Sequence, residues 1–186
     1  RQNMYTYEEL KEFAENCGRC ELCRTRIHPV MGRGSLQAQV MLIAEAPGAV
    51  EDREGIPFAG PSGRVLDQLL GEAGLSRQEI YLTNVVKCHP PGNRDPWPKE
   101  QEACIAYLKY ETLLLRPKIM VCLGRIAAQR IIRPDFRITR EHGTFLYRKN
   151  TWLTAVYHPS AILRDPGKLE ETAEDFRRIR KQLDQH

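Results

Sequence analysis

The stretch 40-VMLIAEAPG-48 decides the fold. Five apolar residues without helical spacing run into Glu45, and Pro47-Gly48 then stops any regular element. A short apolar run ended by turn residues reads as a strand buried on both faces, the kind found in parallel sheets covered by helices. Downstream, 61-PSGRVLDQLLGEAG-74 sets Val65, Leu66, Leu69 and Leu70 on one side of a helix opened by Ser62 and closed by Gly74. A second strand follows in 80-IYLTNVVK-87, then a loop over 88–97 rich in Pro and Gly, then a helix from Pro98 to Leu115. The segment 118-KIMVCLG-124 is a third strand and 125-RIAAQRII-132 its following helix. Phe136–Thr139 and Thr144–Tyr147 are expected to pair as a short hairpin. A last strand in 151-TWLTAVYHPS-160 enters a loop, and Leu169, Ala173, Phe176, Ile179 and Leu183 mark a final amphipathic helix. Upstream, Thr6 and Glu9 form a capping box ahead of Leu10, Phe13, Ala14 and Cys17, with Gly18 closing the helix.

Strands alternating with helices predict one α/β domain over residues 1–186: a three-layer α/β/α sandwich with a central, mainly parallel four-stranded sheet. Ligands of such sheets bind beyond the carboxyl ends of the strands. Three of those ends are polar here, AEAPGAVED, TNVVKCHPPGN and YHPSA, so chemistry is expected there.

The 186 residues carry a net charge of +4, a mild excess compatible with a polyanionic partner and equally with an ordinary solvated surface. The same two readings apply to Arg24, Arg26 and Arg33 and to Arg177, Arg178 and Arg180. No run approaches the ~20 apolar residues of a membrane span, and the first residues show no apolar targeting region. A cytoplasmic monomer with no membrane partner is expected.

Three of the six cysteines fall within 16-NCGRCELCRTR-26. A long chain with a sheet core argues for reduced thiols over disulfides. Cys122, between Val121 and Leu123 in the third strand, reads as a small core residue. Cys17 and Cys20 form Cys-x-x-Cys; Cys88 ends the second strand, and Cys104 lies in the helix beyond. Four thiolates from three segments can enclose a zinc ion or an iron–sulfur cluster, and the residues alone leave that choice open. Cys23 is a surplus thiol beside the set.

The segments AEAPGAVEDREGIPFAGPSG, TNVVKCHPPGNRDPWPKEQEAC and YHPSA, with Cys-x-x-Cys followed by Cys-x15-Cys, together resemble the family 4, iron–sulfur uracil-DNA glycosylases. The resemblance spans Cys17 to about Arg164. It implies a four-iron, four-sulfur (4Fe-4S) cluster on Cys17, Cys20, Cys88 and Cys104. It also implies hydrolysis of the bond between uracil and deoxyribose in single- or double-stranded uracil-containing DNA, the first step of base excision repair.

The residues suit that chemistry. The Asn84 amide offers an acceptor to uracil N3–H and a donor to O4, the opposite of what cytosine requires. Phe58 is placed to stack on an extruded base. His158 can donate to uracil O2 as negative charge develops, helped by backbone N–H groups from Ala46 to Gly48. Glu45 can orient a water or offset the sugar cation, with Glu51 and Asn93 expected to complete a hydrogen-bond network around it. Ser62, Arg64, Gly124, Arg125 and Ser160 are expected on DNA phosphates, and Leu163 or Arg164 in the gap left by the flipped base. The chain departs from the family at Ala44, where glycine is usual, and carries Gly48 where another glycosylase class uses tyrosine against thymine.

Two alternatives differ in class. One is a uracil-DNA binder that captures its substrate through a histidine in an Arg-Arg-Ile-His insertion; residues 87–99 lack it, and RTRIHP at 24–29 lies elsewhere. His28 and His89 are expected to be surface or structural residues. The other is a non-catalytic iron–sulfur nucleic-acid-binding module.

Overall fold

The computed structural model describes residues 4–185, so residues 1–3 and 186 of the expected domain lie outside the described residues. In chain order the elements are α1 (Tyr7–Glu15), β1 (Arg33–Gly34), β2 (Val40–Ala44), α2 (Ala49–Glu54), α3 (Ser62–Glu72), β3 (Tyr81–Asn84), α4 (Pro98–Leu115), β4 (Ile119–Leu123), α5 (Arg125–Ile131), α6 (Ile138–Glu141), β5 (Leu146–Arg148), β6 (Thr151–Val156), α7 (Pro159–Arg164) and α8 (Leu169–Gln185).

The strands form one sheet in the order β1-β3-β2-β4-β6-β5. The four inner strands are parallel, in register Leu42↔Leu82, Leu42↔Val121 and Val121↔Thr154. The expected four-stranded sheet is therefore extended to six by a short antiparallel strand at each edge. β1 fits against β3 because Gly34 has no side chain: at φ +131° a Cβ there would lie 1.9 Å from the Ile80 carbonyl oxygen.

The outer hairpin differs from the expected one. Residues 138–141 form α6, where the Glu141 carboxylate accepts the Arg137 N–H at 2.8 Å, and β5 pairs with β6 instead. Lys149 and Asn150 both have positive φ, at 50° and 67°, the backbone of a two-residue turn matched to strand twist.

Alternation along β2 sorts the core into two layers. Val40, Leu42 and Ala44 join Leu66, Leu69 and Leu70 of α3 and Phe176 and Ile179 of α8. Met41 and Ile43 join Leu108 and Leu115 of α4 and Ala127 and Ala128 of α5. The three-layer expectation holds, and the Ala44 methyl packs in the first layer. α4 begins where expected: Pro98 opens it, and the Glu100 carboxylate accepts the Trp97 N–H at 2.8 Å. The Arg94 guanidinium closes on that carboxylate at 2.8 Å and lies 3.7 Å over the Trp97 ring, which pins the end of the loop preceding α4. From β2 the chain crosses to β3 on one side, whereas β4 lies on the other, so the order reverses at β2, the place where such sheets form ligand crevices.

Candidate active site

A cleft of about 730 Å³ opens at the carboxyl ends of β2, β3, β4 and β6. It is lined by Glu45, Ala46, Gly48, Glu51, Phe58, Asn84 and His158, and at its rim by Ser62, Asn93, Gly124, Arg125, Ser160 and Arg164. Residues up to 123 positions apart in the chain, Glu45 and Lys168, meet there because parallel strands deliver their ends to one edge.

Asn84 ends β3 and is 2% exposed, yet its side-chain amide makes no hydrogen bond to any described residue. The residue is buried but its amide is not sealed in: it opens to the cleft, where a ligand can bond it. Across the cleft His158 caps α7. Its Nδ1 accepts the Ser160 backbone N–H at 3.0 Å, with the Ser160 hydroxyl at 2.7 Å. A backbone N–H can only donate, so Nδ1 is unprotonated and the proton of the neutral ring sits on Nε2. Burial, reinforced by the Arg164 charge, lowers the ring pKa to about 4, and the ring is neutral near pH 7. Phe58 stacks on His158 with ring centroids 5.4 Å apart and holds a left-handed backbone at φ 54°. Gly124 closes the other side: at φ +95°, its Cβ would meet the His158 Cβ at 3.1 Å.

Glu45 follows β2 directly. Burial first, then Asp95, raises its pKa from 4.5 to about 7, against the opposing charges of Arg125 and Arg164. Glu51 does not join it. Its two carboxylate oxygens accept the Gly48 N–H at 3.0 Å and the Gly60 N–H at 2.8 Å, bracing the two loops of the cleft wall. Asn93 is an exposed rim residue at φ 57°. The expected network of Glu51 and Asn93 around Glu45 is therefore absent among the described residues, because backbone amides claim Glu51 first. The 46–48 turn likewise offers fewer donors than expected: Pro47 has none and Gly48 is bound to Glu51, which leaves Ala46.

Leu163 stands at the end of α7, 49% exposed, with Arg164 beside it on the rim. Arg64 is exposed on α3 and does not line the cleft. The late arginines are paired with carboxylates at the surface: Arg177 with Glu72, Glu170 and Glu174, Arg178 with Asp175 and Arg180 with Asp184. His28 is exposed and His89 half-buried, each with Nδ1 2.8 Å from a backbone carbonyl, of Asp52 and of Pro47.

A second, apolar pocket is lined by five cysteines: 17, 20, 23, 88 and 104. Cys122 is fully buried in the sheet, as expected. Among the described residues no three His, Cys, Asp or Glu side chains converge closely enough for a single metal ion; the thiols instead surround a shared space. Burial pushes the Cys104 thiol up to about 12 and raises those of Cys88 and Cys20. Thiolates in such a pocket need a cationic partner, so a soft metal–sulfide core fits this donor set. Two further groups already donate to the sulfurs: Arg26 Nη1 to Cys88 at 3.1 Å and the Lys87 backbone N–H to Cys104 at 3.3 Å. Sequence reasoning missed both. The signal available was position, with Arg26 three residues after Cys23 and Lys87 a lone charge ending an apolar strand beside Cys88. Asp95, which acts on Glu45 across the loop, left no such signal.

The family profile described as uracil DNA glycosylase superfamily matches residues 31–184. The chain is 39% identical to the type-4 uracil-DNA glycosylase of Archaeoglobus fulgidus over 185 residues, covering 95% of this chain and 92% of that protein. It is 39% identical to the type-4 enzyme of Sulfurisphaera tokodaii, covering 95% and 84%. A type-5 uracil-DNA glycosylase of Thermus thermophilus is 40% identical over 161 residues, covering 76% of this chain and 73% of that one.

Proposed function

Because this chain belongs to the uracil DNA glycosylase superfamily, we propose that it is a DNA-repair hydrolase that releases uracil from DNA and leaves an abasic site. The observation that carries the reading is the pairing, in one cleft, of an amide at Asn84 left open to a ligand with a neutral imidazole whose Nε2–H is set by Ser160.

The base leaves the stack and enters the cleft. Asn84 Oδ1 accepts uracil N3–H and Nδ2 donates to O4; cytosine, with the opposite pattern, leaves both unpaired. Phe58, fixed against His158, forms the wall on which the ring stacks. As the bond from C1′ to N1 breaks, its electron pair passes to the uracil ring. His158 Nε2–H donates to O2, and Ala46 lines the same cleft. A ring with its pKa near 4 stabilises that anion by hydrogen bonding and does not transfer a proton outright. Water adds to C1′, and ionised Glu45 orients it and takes its proton. Glu51 positions the walls through Gly48 and Gly60. Ser62, Gly124, Arg125, Ser160 and Arg164 form the rim that meets phosphates, with Arg64 outside it, and Leu163 fills the vacated stack.

Cys17, Cys20, Cys88 and Cys104 would hold a 4Fe-4S cluster, supported by the shared pocket and by the donors to Cys88 and Cys104. When bound, the cluster supplies a covalent tie between the segment before β1 and the loop that follows Cys88. Cys23 lines the pocket as the fifth thiol.

The test is multiple-turnover release of uracil from a labelled oligonucleotide, read by alkaline cleavage at the abasic site, with iron and acid-labile sulfide assayed on the same anaerobic sample. Catalytic release with both elements present is expected. An adduct of one protein per DNA that resists denaturant would replace turnover with capture, and zinc without sulfide would remove the cluster.

A further inference from the structure

Two charges lie inside the protein without a part in the chemistry above. Lys87 and Glu111 are 1% and 0% exposed, with Lys87 Nζ 2.6 Å from Glu111 Oε1. A buried ion pair is a poor device for stability, because desolvation of both ions offsets their attraction. What it does fix is position. The Lys87 ammonium also donates to the Thr83 hydroxyl at 3.0 Å and to the Asn84 carbonyl oxygen at 2.5 Å, which accounts for its three protons. Glu111 Oε2 in turn accepts the Tyr81 hydroxyl at 2.6 Å, the Thr83 hydroxyl at 2.9 Å and the Gly32 N–H at 3.1 Å. The network is closed, and its outlet is the backbone of Asn84. Beyond that carbonyl, the Val85 and Val86 N–H groups donate to Ala44 and Glu45. Lys87 then sends its own N–H to Cys104 Sγ, and its neighbour is Cys88.

We propose that Lys87 is the positioning residue of base recognition. Its ammonium, held by Glu111, fixes the Asn84 carbonyl and so the direction in which the Asn84 amide enters the cleft. Its backbone N–H ties the same segment to the cysteine pocket. The inference rests on the assignment of Asn84 as the reader of uracil.

The test is Lys87→Met/Glu111→Gln, which removes the ammonium and neutralises the carboxylate together, so that no lone charge is buried. Uracil release is measured in single turnover against enzyme concentration, with inhibition by free uracil, iron content and melting temperature on the same sample. In folded, iron-replete protein the half-saturating concentration for DNA stays unchanged, because phosphate contacts set it. The maximal rate falls roughly 10- to 100-fold, as expected for a misdirected recognition group, and inhibition by uracil weakens with it. Glu111→Gln alone leaves the Lys87 amine beside the Asn84 carbonyl but loosens its hold, so its maximal rate and uracil inhibition fall between those of the wild type and the double variant. A folded double variant with wild-type maximal rate and inhibition overturns the proposal, as does equal loss of inhibition in Glu111→Gln. Should the double variant not fold, a structure of the wild type with bound uracil decides: an ammonium still on the Asn84 carbonyl supports the proposal and a displaced one overturns it. Asn84→Ala in the same series separates the two assignments. Full uracil inhibition there rejects Asn84 as the reader, whereas a defect at Asn84 with none at Lys87 rejects only the role of the lysine.

Discussion

Glu45→Gln exchanges a partly buried carboxylate for an amide of the same shape, and stability and activity should move in opposite directions. Burial and Asp95 raise the Glu45 pKa from 4.5 to about 7 in the folded protein. Between those values the folded state binds the proton that the unfolded chain has released. Stability contributed by this site is therefore full below pH 4.5 and is lost as pH rises through about 7. At roughly 1.4 kcal/mol per pH unit, the displacement sets an upper bound of about 3 kcal/mol. Because Glu45 borders an open cleft, solvent screening reduces this to about 1–3 kcal/mol. The amide avoids that cost. At pH 8 the variant should melt roughly 2–10 °C above wild type for a chain of this size, and the difference should close below pH 5. Single-turnover release of uracil should fall roughly 100-fold or more with the base removed. The wild-type rate should rise as pH passes through about 7, where Glu45 ionises, and that rise should vanish in the variant. Thermal melts across pH and the rate profile test both halves. A stability difference independent of pH, or a variant that keeps the rise near pH 7, refutes the reasoning.

Three further outcomes are expected. His158→Ala should lower the maximal rate roughly 100- to 1,000-fold, the usual cost of one donor to a developing anion; because the ring pKa is near 4, the profile in this variant should still rise near pH 7. Gly124→Ala forces a side chain into a left-handed position 3.1 Å from His158 Cβ, so it should cost about 1–2 kcal/mol in a denaturant titration and slow uracil release. Cys88→Ala and Cys104→Ala should lose iron and sulfide on elemental analysis, while Cys23→Ser and Cys122→Ala should retain both.

Much of the fold was legible because its signals are local. The apolar run from Val40 and the alternation of strands with helices define the parallel layer, and Pro98 marks the start of α4 to the residue. The hairpin was misplaced because Phe136–Thr139 has strand-like composition, whereas the decisive signal was the two-residue turn at Lys149-Asn150. The short β1 has almost no periodicity to read; it exists because Gly34 lets two backbones approach.

The site divides in the same way. Residue type and spacing alone placed Asn84, His158 and Glu45 at strand ends and grouped four cysteines, since a parallel sheet sends its carboxyl ends to one edge whatever the details. Tertiary structure decided what each group can do. Burial and a neighbouring amide set the charge and tautomer of His158, and burial, with the Asp95 charge nearby, raises the pKa of Glu45. Gly48 and Gly60, not Glu45, claim Glu51. Lys87 and Glu111, 24 positions apart, meet where water is excluded. Protonation and hydrogen bonding depend on which groups share a low-dielectric space, and that is a property of packing, which no local pattern along the chain encodes.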